Sequence, residues 1–465
     1  MTKGFSFIFW TCSIFASLWT GFMVLFDTAR PHEYSLLFLL PLTFCLLTIL
    51  SGNCFTRIIK TTPALILYAL YMMRNVVVVY AMYKGNYAGY YSTSNGSDAI
   101  ILMVYETVIV FFAMWYAIHR YSIQDAECEV DLDLQEWTNR KVPPLFALAF
   151  YIIVLFMVVV FITHPSVKGL YTSLYRFNGS LMTESVTTVA GSGNRSIITL
   201  FTFFADFMRV LLPVYLFRVI RRYIGTEWVG VILSLPIIAL QMAFVGATSA
   251  LAIFCAFVDF YALLRIYPNY QKQLTRLLYV SAGLIVVVLF VVKFSNTVLY
   301  TGSEFEGISE MMQAYFGGVC NVSASFNIPK TEKWSALFFD LYYTIPFNGT
   351  LFGLSGKTSA NLFNAYNYGK FQIIPCIGQS CYYLGAVLAP IVPAMMCYFA
   401  IKVFNTNKQE SNIWMYTSRT LLWFYLCVSP IMYNGQILLG RLNNTILPCL
   451  LVTFLAQKYY RRGKS

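Results

Sequence analysis

Long apolar runs alternate with short hydrophilic turns along almost the whole chain. About twelve runs reach the roughly 17–25 apolar residues that a membrane-spanning helix needs. They lie near Phe5–Phe26, Tyr34–Leu50, Pro63–Tyr83, Ala99–His119, Pro144–Thr163, Ile197–Phe217, Val229–Val245, Thr248–Leu264, Leu277–Val298, Tyr382–Phe404, Ser418–Met432 and Gln436–Ala456. The pattern predicts an all-α polytopic membrane protein with about 12 transmembrane helices.

The stretch from Tyr300 to Gln379 interrupts this alternation. It is roughly 80 residues long, a length at which loops are usually functional or disordered. Ser303-Glu304-Phe305-Glu306 fits a capping box that opens a short helix, and Gly317-Gly318 supplies its stop. A second short helix is predicted from apolar residues at helical spacing, namely Trp334, Leu337, Phe338, Leu341 and Tyr342. We interpret Asn348–Gly369 as an irregular loop.

Composition and charge fix the class and the orientation. Hydrophobic residues make up 58% of the chain and charged residues 11%, which excludes an ordinary soluble domain. About nineteen of the 32 Lys and Arg fall in loops on the side of the N-terminus, and about nine on the other side. We therefore predict cytoplasmic N- and C-termini, and we attribute the net charge of +12 to this bias rather than to nucleic acid.

These patterns divide the chain into three parts. Residues 1–298 hold spans 1–9 and a second external loop at 164–195, residues 299–380 form a large external loop, and residues 381–465 hold spans 10–12 and a basic cytoplasmic tail. The eleven Cys lack metal-site spacing. Cys320 and Cys376 both fall in the large loop, which leaves a disulfide between them open.

Basic residues inside the predicted spans are the strongest functional signal. They are Arg74, Arg209, Lys293 and Arg441. A basic residue near the bilayer centre costs about 2.5–3.5 kcal/mol on the lenient scale, so we expect each one to face the bundle interior or a wet cavity. Glu106 is placed to pair with Arg74. Asp206 precedes Arg209 by three residues, and we expect it to orient that guanidinium.

Bases outnumber acids in the outer half of the predicted bundle. Surplus positive charge predicts a bound anion, and Arg matches phosphate oxygens bidentately. Arg176 and Arg195 of the second external loop can join the same clamp, since Arg195 follows a Gly-Ser-Gly-Asn turn just before a helix. The alternative is that the buried charges are structural ion pairs between helices.

Aromatic residues of the large loop have two interpretations. The rings of Trp334, Tyr342 and Tyr366 offer apolar faces with polar tips, which suits sugar binding. They can equally form an interfacial belt. No P-loop or GxGxxG occurs in a supporting context, so chemistry driven by cytosolic nucleotides is not expected.

Two local motifs add a family resemblance. Tyr315-Phe316-Gly317-Gly318, and Gly378-Gln379-Ser380 followed by Tyr383-Leu384-Gly385, occur in a 465-residue chain with two Arg-bearing external loops. In these features the chain resembles the bacterial Wzy-type oligosaccharide repeat-unit polymerases. The resemblance implies metal-independent glycosyl transfer outside the cytoplasmic membrane, with undecaprenyl-pyrophosphate-linked oligosaccharides as donor and acceptor.

The resemblance also implies roles for the candidate residues. Arg74, Arg176, Arg195, Arg209, Lys293 and Arg441 would bind the donor diphosphate. Glu304 or Glu310 would activate the acceptor hydroxyl. No cofactor and no nucleic acid is implied; the bilayer is a partner, and a chain-length regulator is a further candidate.

Two rival functions share this architecture. O-antigen ligases resemble one another in using a His in the large loop. The three His of this chain, His32, His119 and His164, lie elsewhere. A lipid-linked oligosaccharide flippase or transporter would show paired repeats with broken helices, and the sequence has no evident repeat.

Overall fold

The computed structural model describes residues 3–89, 94–121, 144–164, 195–243, 250–281, 283–284, 304–367, 372–410 and 412–462. Within these ranges every regular element is a helix, as the apolar pattern predicted. The first half contains α1 (Lys3–Leu25), α2 (Leu39–Leu50), α3 (Phe55–Lys60), α4 (Thr62–Met72), α5 (Val78–Lys84), α6 (Gly96–Tyr121), α7 (Pro144–Thr163), α8 (Arg195–Tyr223), α9 (Glu227–Ala243) and α10 (Ala250–Ile266). Residues 271–281 are also helical.

Short helices fill the next part, and long ones return at the end. The second half contains α11 (Glu304–Tyr315), α12 (Val319–Ser325), α13 (Lys333–Thr344), α14 (Asn348–Leu351), α15 (Ser359–Tyr366), α16 (Cys376–Leu384), α17 (Ile391–Asn407), α18 (Ile413–Met432), α19 (Gly435–Arg441) and α20 (Leu447–Arg462). We call residues 304–367 the short-helix segment.

Six helical stretches in the described ranges are long and apolar enough to cross a membrane. They are Gly4–Leu25, His32–Leu50, Thr62–Lys84, Gly96–Tyr121, Thr199–Tyr223 and Gly435–Leu455. The chain is therefore a helical membrane protein. The total of about 12 spans stays a prediction, since most of the ninth predicted span lies outside the described residues.

Three predicted spans depart from a regular α-helix. The third continues from α4 to α5 through a π-helical turn at Met73–Val77. The last does the same from α19 to α20 through Leu442–Ile446. The prediction of one continuous helix over Tyr382–Phe404 is wrong, because α16 ends at Leu384 and Gly385 adopts φ +80°, a left-handed conformation that glycine favours.

The short-helix segment is partly built into the bundle. Every residue of α12 is buried. The carbonyl oxygen of Phe305 closely approaches Gly85, and the Cys320 sulfur lies 3.5 Å from the Tyr34 hydroxyl. The segment therefore lies at the same end of the bundle as the turns that follow α1 and α5.

The structure tests three local predictions for this segment: a helix stop, an irregular loop and a disulfide. Gly317, at φ +54°, follows α11 as the predicted stop. The irregular loop over Asn348–Gly369 is wrong, because α14 and α15 occupy much of it. Cys320 and Cys376 are both free thiols, so they form no disulfide with each other.

Candidate functional site

Arg74 lies in the first π-helical turn and forms a closed ion pair. Its Nη2 donates to Glu106 Oε2 at 2.6 Å, and both side chains are 0% exposed. Tyr71 Oη donates to Glu106 Oε1 at 3.0 Å. The predicted pairing with Glu106 is confirmed. Because Glu106 supplies the counter-charge and both side chains are buried, this pair fits the alternative of a structural ion pair between helices. The predicted diphosphate-binding role of Arg74 stays a prediction and is not part of the proposal below.

Arg441 is the last residue of α19 and directly precedes the second π-helical turn. Its Nη1 lies 3.2 Å from Asp206 Oδ2 of α8. Asp206, whose spacing suggested a role beside Arg209 of its own helix, thus reaches a guanidinium on another helix. The side chain of Arg441 is 33% exposed, although its neighbour Tyr425 is only 1% exposed. Arg441 therefore keeps part of its side chain uncovered, whereas Tyr425 beside it is fully enclosed.

Arg209 belongs to the same group of charges. Arg209, Asp206, Asp259 and Arg441 all act electrostatically on the fully buried thiol of Cys255. We call these four residues the charge cluster. It joins α8, α10 and α19 within the bundle. Arg441 contacts Asp206 across helices, and the four residues carry two formal positive and two formal negative charges. The predicted surplus of cations concerned the whole outer half of the bundle, including Arg176 and Lys293 outside the described residues, and stays a prediction.

A second polar group lies where the short-helix segment meets α16 and α19. Asp340 of α13 is 3% exposed. Its Oδ1 accepts from Ser359 N at 2.9 Å, and its Oδ2 accepts from Ser359 Oγ at 2.6 Å, Gln379 Nε2 at 3.1 Å and Tyr383 Oη at 2.6 Å. Burial raises the pKa of Asp340, and the hydrogen bonds from Ser359, Tyr383 and Gln379 oppose that rise. All four donors are uncharged. We call Asp340, Ser359, Gln379 and Tyr383 the Asp340 node.

The node continues into the last span. Gln379 Oε1 accepts from the backbone N–H of Gly435 at 2.9 Å. A separate contact follows farther along, where Asn443 Nδ2 donates to the carbonyl and hydroxyl oxygens of Thr344 at 3.2 and 3.3 Å. Since α19 carries Arg441, the short-helix segment and the charge cluster are structurally connected.

The remaining predicted residues are spread over several places. Glu310 of α11 is half-buried, and burial together with Glu306 raises its pKa. Trp334 and Tyr366 are 74% and 44% exposed and keep surface that a sugar could cover. Tyr342 is buried and donates to Asn348 O at 2.7 Å, so its ring offers little of the predicted sugar-binding face.

Four predicted positions are described only in part or not at all. Arg195 and Glu304 are the first residues of α8 and α11. Arg176 and Lys293, with most of the loop at 164–195, lie outside the described residues. Their proposed roles stay predictions.

Sequence reasoning missed the Asp340 node as a site, although a signal existed. Ala336, Asp340 and Thr344 follow one another at intervals of four and are all buried. A carboxylate within the buried stripe of an amphipathic helix requires partners, because an unpaired buried charge is costly.

Taken together, the fold and the site define a helical membrane protein with a balanced charge cluster inside the bundle and a helical segment attached to it. No protein-family model, curated protein or solved structure matches the chain.

Proposed function

We propose that this chain is a glycosyltransferase of the Wzy type, which polymerises undecaprenyl-pyrophosphate-linked oligosaccharide repeat units into a surface polysaccharide. One observation carries the proposal. Arg209 and Arg441 both act electrostatically on the buried Cys255 thiol inside the bundle, and Arg441 keeps 33% of its side chain exposed. An arginine inside a membrane bundle is a functional-site signal, and its planar fork suits phosphate oxygens.

The charge cluster supports a specific role for its arginines. An Arg presents five N–H donors, and the contact of Arg441 with Asp206 uses Nη1. The pair with Asp206 holds the guanidinium in place before substrate binds, and the donor diphosphate takes other N–H groups. Preorganised donors of this kind stabilise charge that develops on a leaving group.

The proposed reaction is a single displacement. The acceptor hydroxyl oxygen forms a bond to the anomeric carbon of the donor sugar, and the bond from that carbon to the diphosphate oxygen breaks. The electron pair leaves with the diphosphate, beside Arg209 and Arg441. The hydroxyl proton passes to a carboxylate, for which Glu304 and Glu310 remain the candidates. A raised pKa, as burial gives Glu310, makes a carboxylate a better proton acceptor.

The proposal includes a location and partners. We place the chain in the cytoplasmic membrane of a bacterium, with both termini cytoplasmic and the reaction on the outer side, on the strength of the Lys and Arg distribution. Lipid-linked oligosaccharides and the bilayer are its partners, and a chain-length regulator is a further candidate.

A flippase or transporter is the second candidate, because one observation favours it. The break between α16 and α17 at Gly385 gives a discontinuous helix near the bundle, and such helices often line transporter sites. An O-antigen ligase has no comparable support, since the three His lie at 32, 119 and 164.

The test compares Arg441→Ala, Arg209→Ala and Arg195→Ala in cells that depend on this chain for their surface glycan. Loss of one anion-stabilising donor typically costs about 10²–10³ in rate. We therefore expect single repeat units on the surface anchor and few or no long chains, at normal membrane levels of the protein. Arg222→Ala, an exposed position on the same helix as Arg209, is the matched control and should give normal ladders.

Other outcomes separate the candidates. Complete loss of surface glycan, including single units, would favour the transporter. Normal long-chain ladders from all three variants would remove the charge cluster from the reaction.

A further inference from the structure

The N-terminus of α19 is fixed by a side chain of α16. Gln379 Oε1 accepts a hydrogen bond from the backbone N–H of Gly435, the first residue of α19, at 2.9 Å. Its Nε2 donates at the same time to Asp340 Oδ2 at 3.1 Å and to Ser359 Oγ at 2.9 Å. Asn434 caps the same helix by accepting Ile437 N at 2.9 Å. Gln379 therefore connects the Asp340 node directly to the helix that carries Arg441.

On the C-terminal side of Arg441, the last span is held by α13, the short helix that carries Asp340. Thr344 lies four residues after Asp340 on α13, which places both on one helix face. Asn443, in the π-helical turn, donates to Thr344. Hydrogen bonds from α13 and its partners thus hold the last span at Gly435 and at Asn443, and Arg441 lies between these two points.

Local contacts also hold the chain around Arg441, namely the hydrogen bond from Asn444 Nδ2 to Gly440 O at 2.8 Å and the buried side chain of Leu438. A π-helical turn has a changed hydrogen-bond register, and such turns are often found at functional sites. A methyl group at Gly440, next to Arg441, would meet nothing within 4 Å. The guanidinium position thus depends on hydrogen bonds that hold α19 and on Asp206 across the cluster.

The Asp340 node is suited to act as a fixed support. Asp340 is buried and accepts four hydrogen bonds from neutral donors on α15 and α16. Hydrogen bonds to a charged acceptor are stronger than neutral ones, so this carboxylate holds α13, α15 and α16 together. Gln379 is hydrogen-bonded both to Asp340 and to Gly435, so the position of α19 depends on the position of the Asp340 node.

We propose that Gln379 and Asn443, supported by Asp340, are positioning residues that place Arg441 for diphosphate binding and for stabilising the leaving group. This inference rests on the proposed function. It makes the short-helix segment a structural part of the site, in addition to any contact that it makes with sugar.

The test uses Gln379→Leu and Asn443→Ala in the full-length chain, reconstituted with lipid-linked repeat units from the host strain. Misplacing a catalytic group by about 1 Å can cost roughly 10²-fold in rate. We expect kcat to fall about 10- to 100-fold, at parental amounts of folded protein. Asn364→Ala is the matched control. Asn364 is half-buried, and its Nδ2 donates to Ala360 O and Gln372 O in the same region. These bonds do not involve α19, so this variant should leave kcat unchanged.

A double-mutant cycle separates positioning from general damage. Arg441→Lys keeps a positive charge but loses the fork, which leaves residual activity to measure. If Gln379 acts through Arg441, adding Gln379→Leu to Arg441→Lys changes kcat less than it does in the parent. Effects that simply multiply would overturn the inference, because they would mean that the two residues act independently.

A structural readout keeps the test independent of activity. In an experimental structure of Gln379→Leu, the distance between Arg441 Nη1 and Asp206 Oδ2 should exceed the parental 3.2 Å. If Gln379→Leu does not fold, Asn443→Ala carries the same measurement. An unchanged distance in the folded variant would refute positioning. Normal polymer from Arg441→Ala would remove Arg441 from the reaction and overturn this inference, whereas normal polymer from all three arginine variants would count against the proposed function.

Discussion

Arg74 and Arg441 are both paired with carboxylates inside the bundle, but their surroundings differ. The pair of Arg74 and Glu106 is 0% exposed on both sides, whereas Arg441 and Asp206 are 33% and 14% exposed. In a fully buried ion pair, the attraction between the two charges and their hydrogen bonds must offset the free energy lost when both groups leave water. A pair with exposed side-chain surface leaves N–H groups that a ligand can contact. We therefore assign the first pair to the fold and the second to the site.

Removing the charge of Glu106 should strongly destabilise the protein. Glu106→Gln leaves the buried guanidinium of Arg74 without its counter-charge, and breaking a buried pair in this way costs about 3–5 kcal/mol. We expect a clearly lower Tm in detergent. Asp98→Asn, an exposed acid in the first turn of the same helix, should leave Tm within error of the parent.

A double substitution distinguishes structure from chemistry at this pair. Arg74→Met with Glu106→Leu replaces both charges by apolar side chains, which is often neutral for stability. Recovery of Tm together with polymer formation would support a structural role. Recovered Tm without polymer would contradict our assignment and return Arg74 to the site.

The two ion pairs also show what residue spacing can predict. Arg74 and Glu106 lie on consecutive predicted spans at similar depth, so their pairing followed from topology. Asp206 was related to Arg209 because spacing reports neighbours on one helix. Its contact with Arg441 joins residues separated by 235 positions, and a single sequence has no signal for such a contact.

At the scale of the element, hydrophobic pattern predicted where helices lie but not where they break. The run at Pro144–Thr163 coincides with α7, because hydropathy and helix length agree there. The π-helical turns at Met73–Val77 and Leu442–Ile446 change the hydrogen-bond register without changing composition, so hydropathy cannot detect them. The break after α16 depends on one glycine with positive φ.

Packing between elements depends on close backbone approach at Gly85. A methyl group there would lie 2.6 Å from the carbonyl oxygen of Phe305 and 3.1 Å from Cα of Glu306. These are backbone atoms, so the clash cannot be relieved by turning a side chain. The attachment of α11 to α5 therefore requires glycine at this position.

Gly85→Ala should loosen the short-helix segment from the bundle. Overpacking of this kind typically costs about 1–3 kcal/mol. We expect a lower Tm and faster proteolysis within residues 304–367. Gly225→Ala, where a methyl group would meet nothing within 4 Å, is the control and should change neither. A Gly85→Ala protein with parental Tm and cleavage rate would show that α11 is not packed as described.

At the scale of the whole molecule, the contacts give a relative arrangement of the two ends, while Lys and Arg give the direction across the membrane. The turn after α1, the turn after α5 and the short-helix segment share one end, as the contacts of Tyr34 and Gly85 show. Lys60 precedes α4, whose span runs toward Gly85, so Lys60 lies at the opposite end. The positive-inside bias then predicts that Lys60 is cytoplasmic and the segment external.

Cysteine labelling in intact cells tests this orientation. Thr28→Cys and Trp334→Cys place exposed thiols at the end that we predict to be external, and Lys60→Cys and Gln409→Cys place them at the other end. A membrane-impermeant thiol reagent should label the first pair in intact cells, above the background of the parent chain. The second pair should react only after the membrane is opened.

The result decides more than topology. Glycan polymerisation from lipid-linked units needs the charge cluster and the short-helix segment to be reached from the same side, because donor and acceptor both carry their sugars there. Labelling of Lys60→Cys and Gln409→Cys from outside would place the segment in the cytoplasm and exclude the proposed reaction. Labelling of Thr28→Cys without Trp334→Cys would separate the segment from the end to which the contacts of Tyr34 and Gly85 assign it. Only labelling of both Thr28→Cys and Trp334→Cys from outside lets Arg441 and the exposed aromatic rings serve one externally bound substrate.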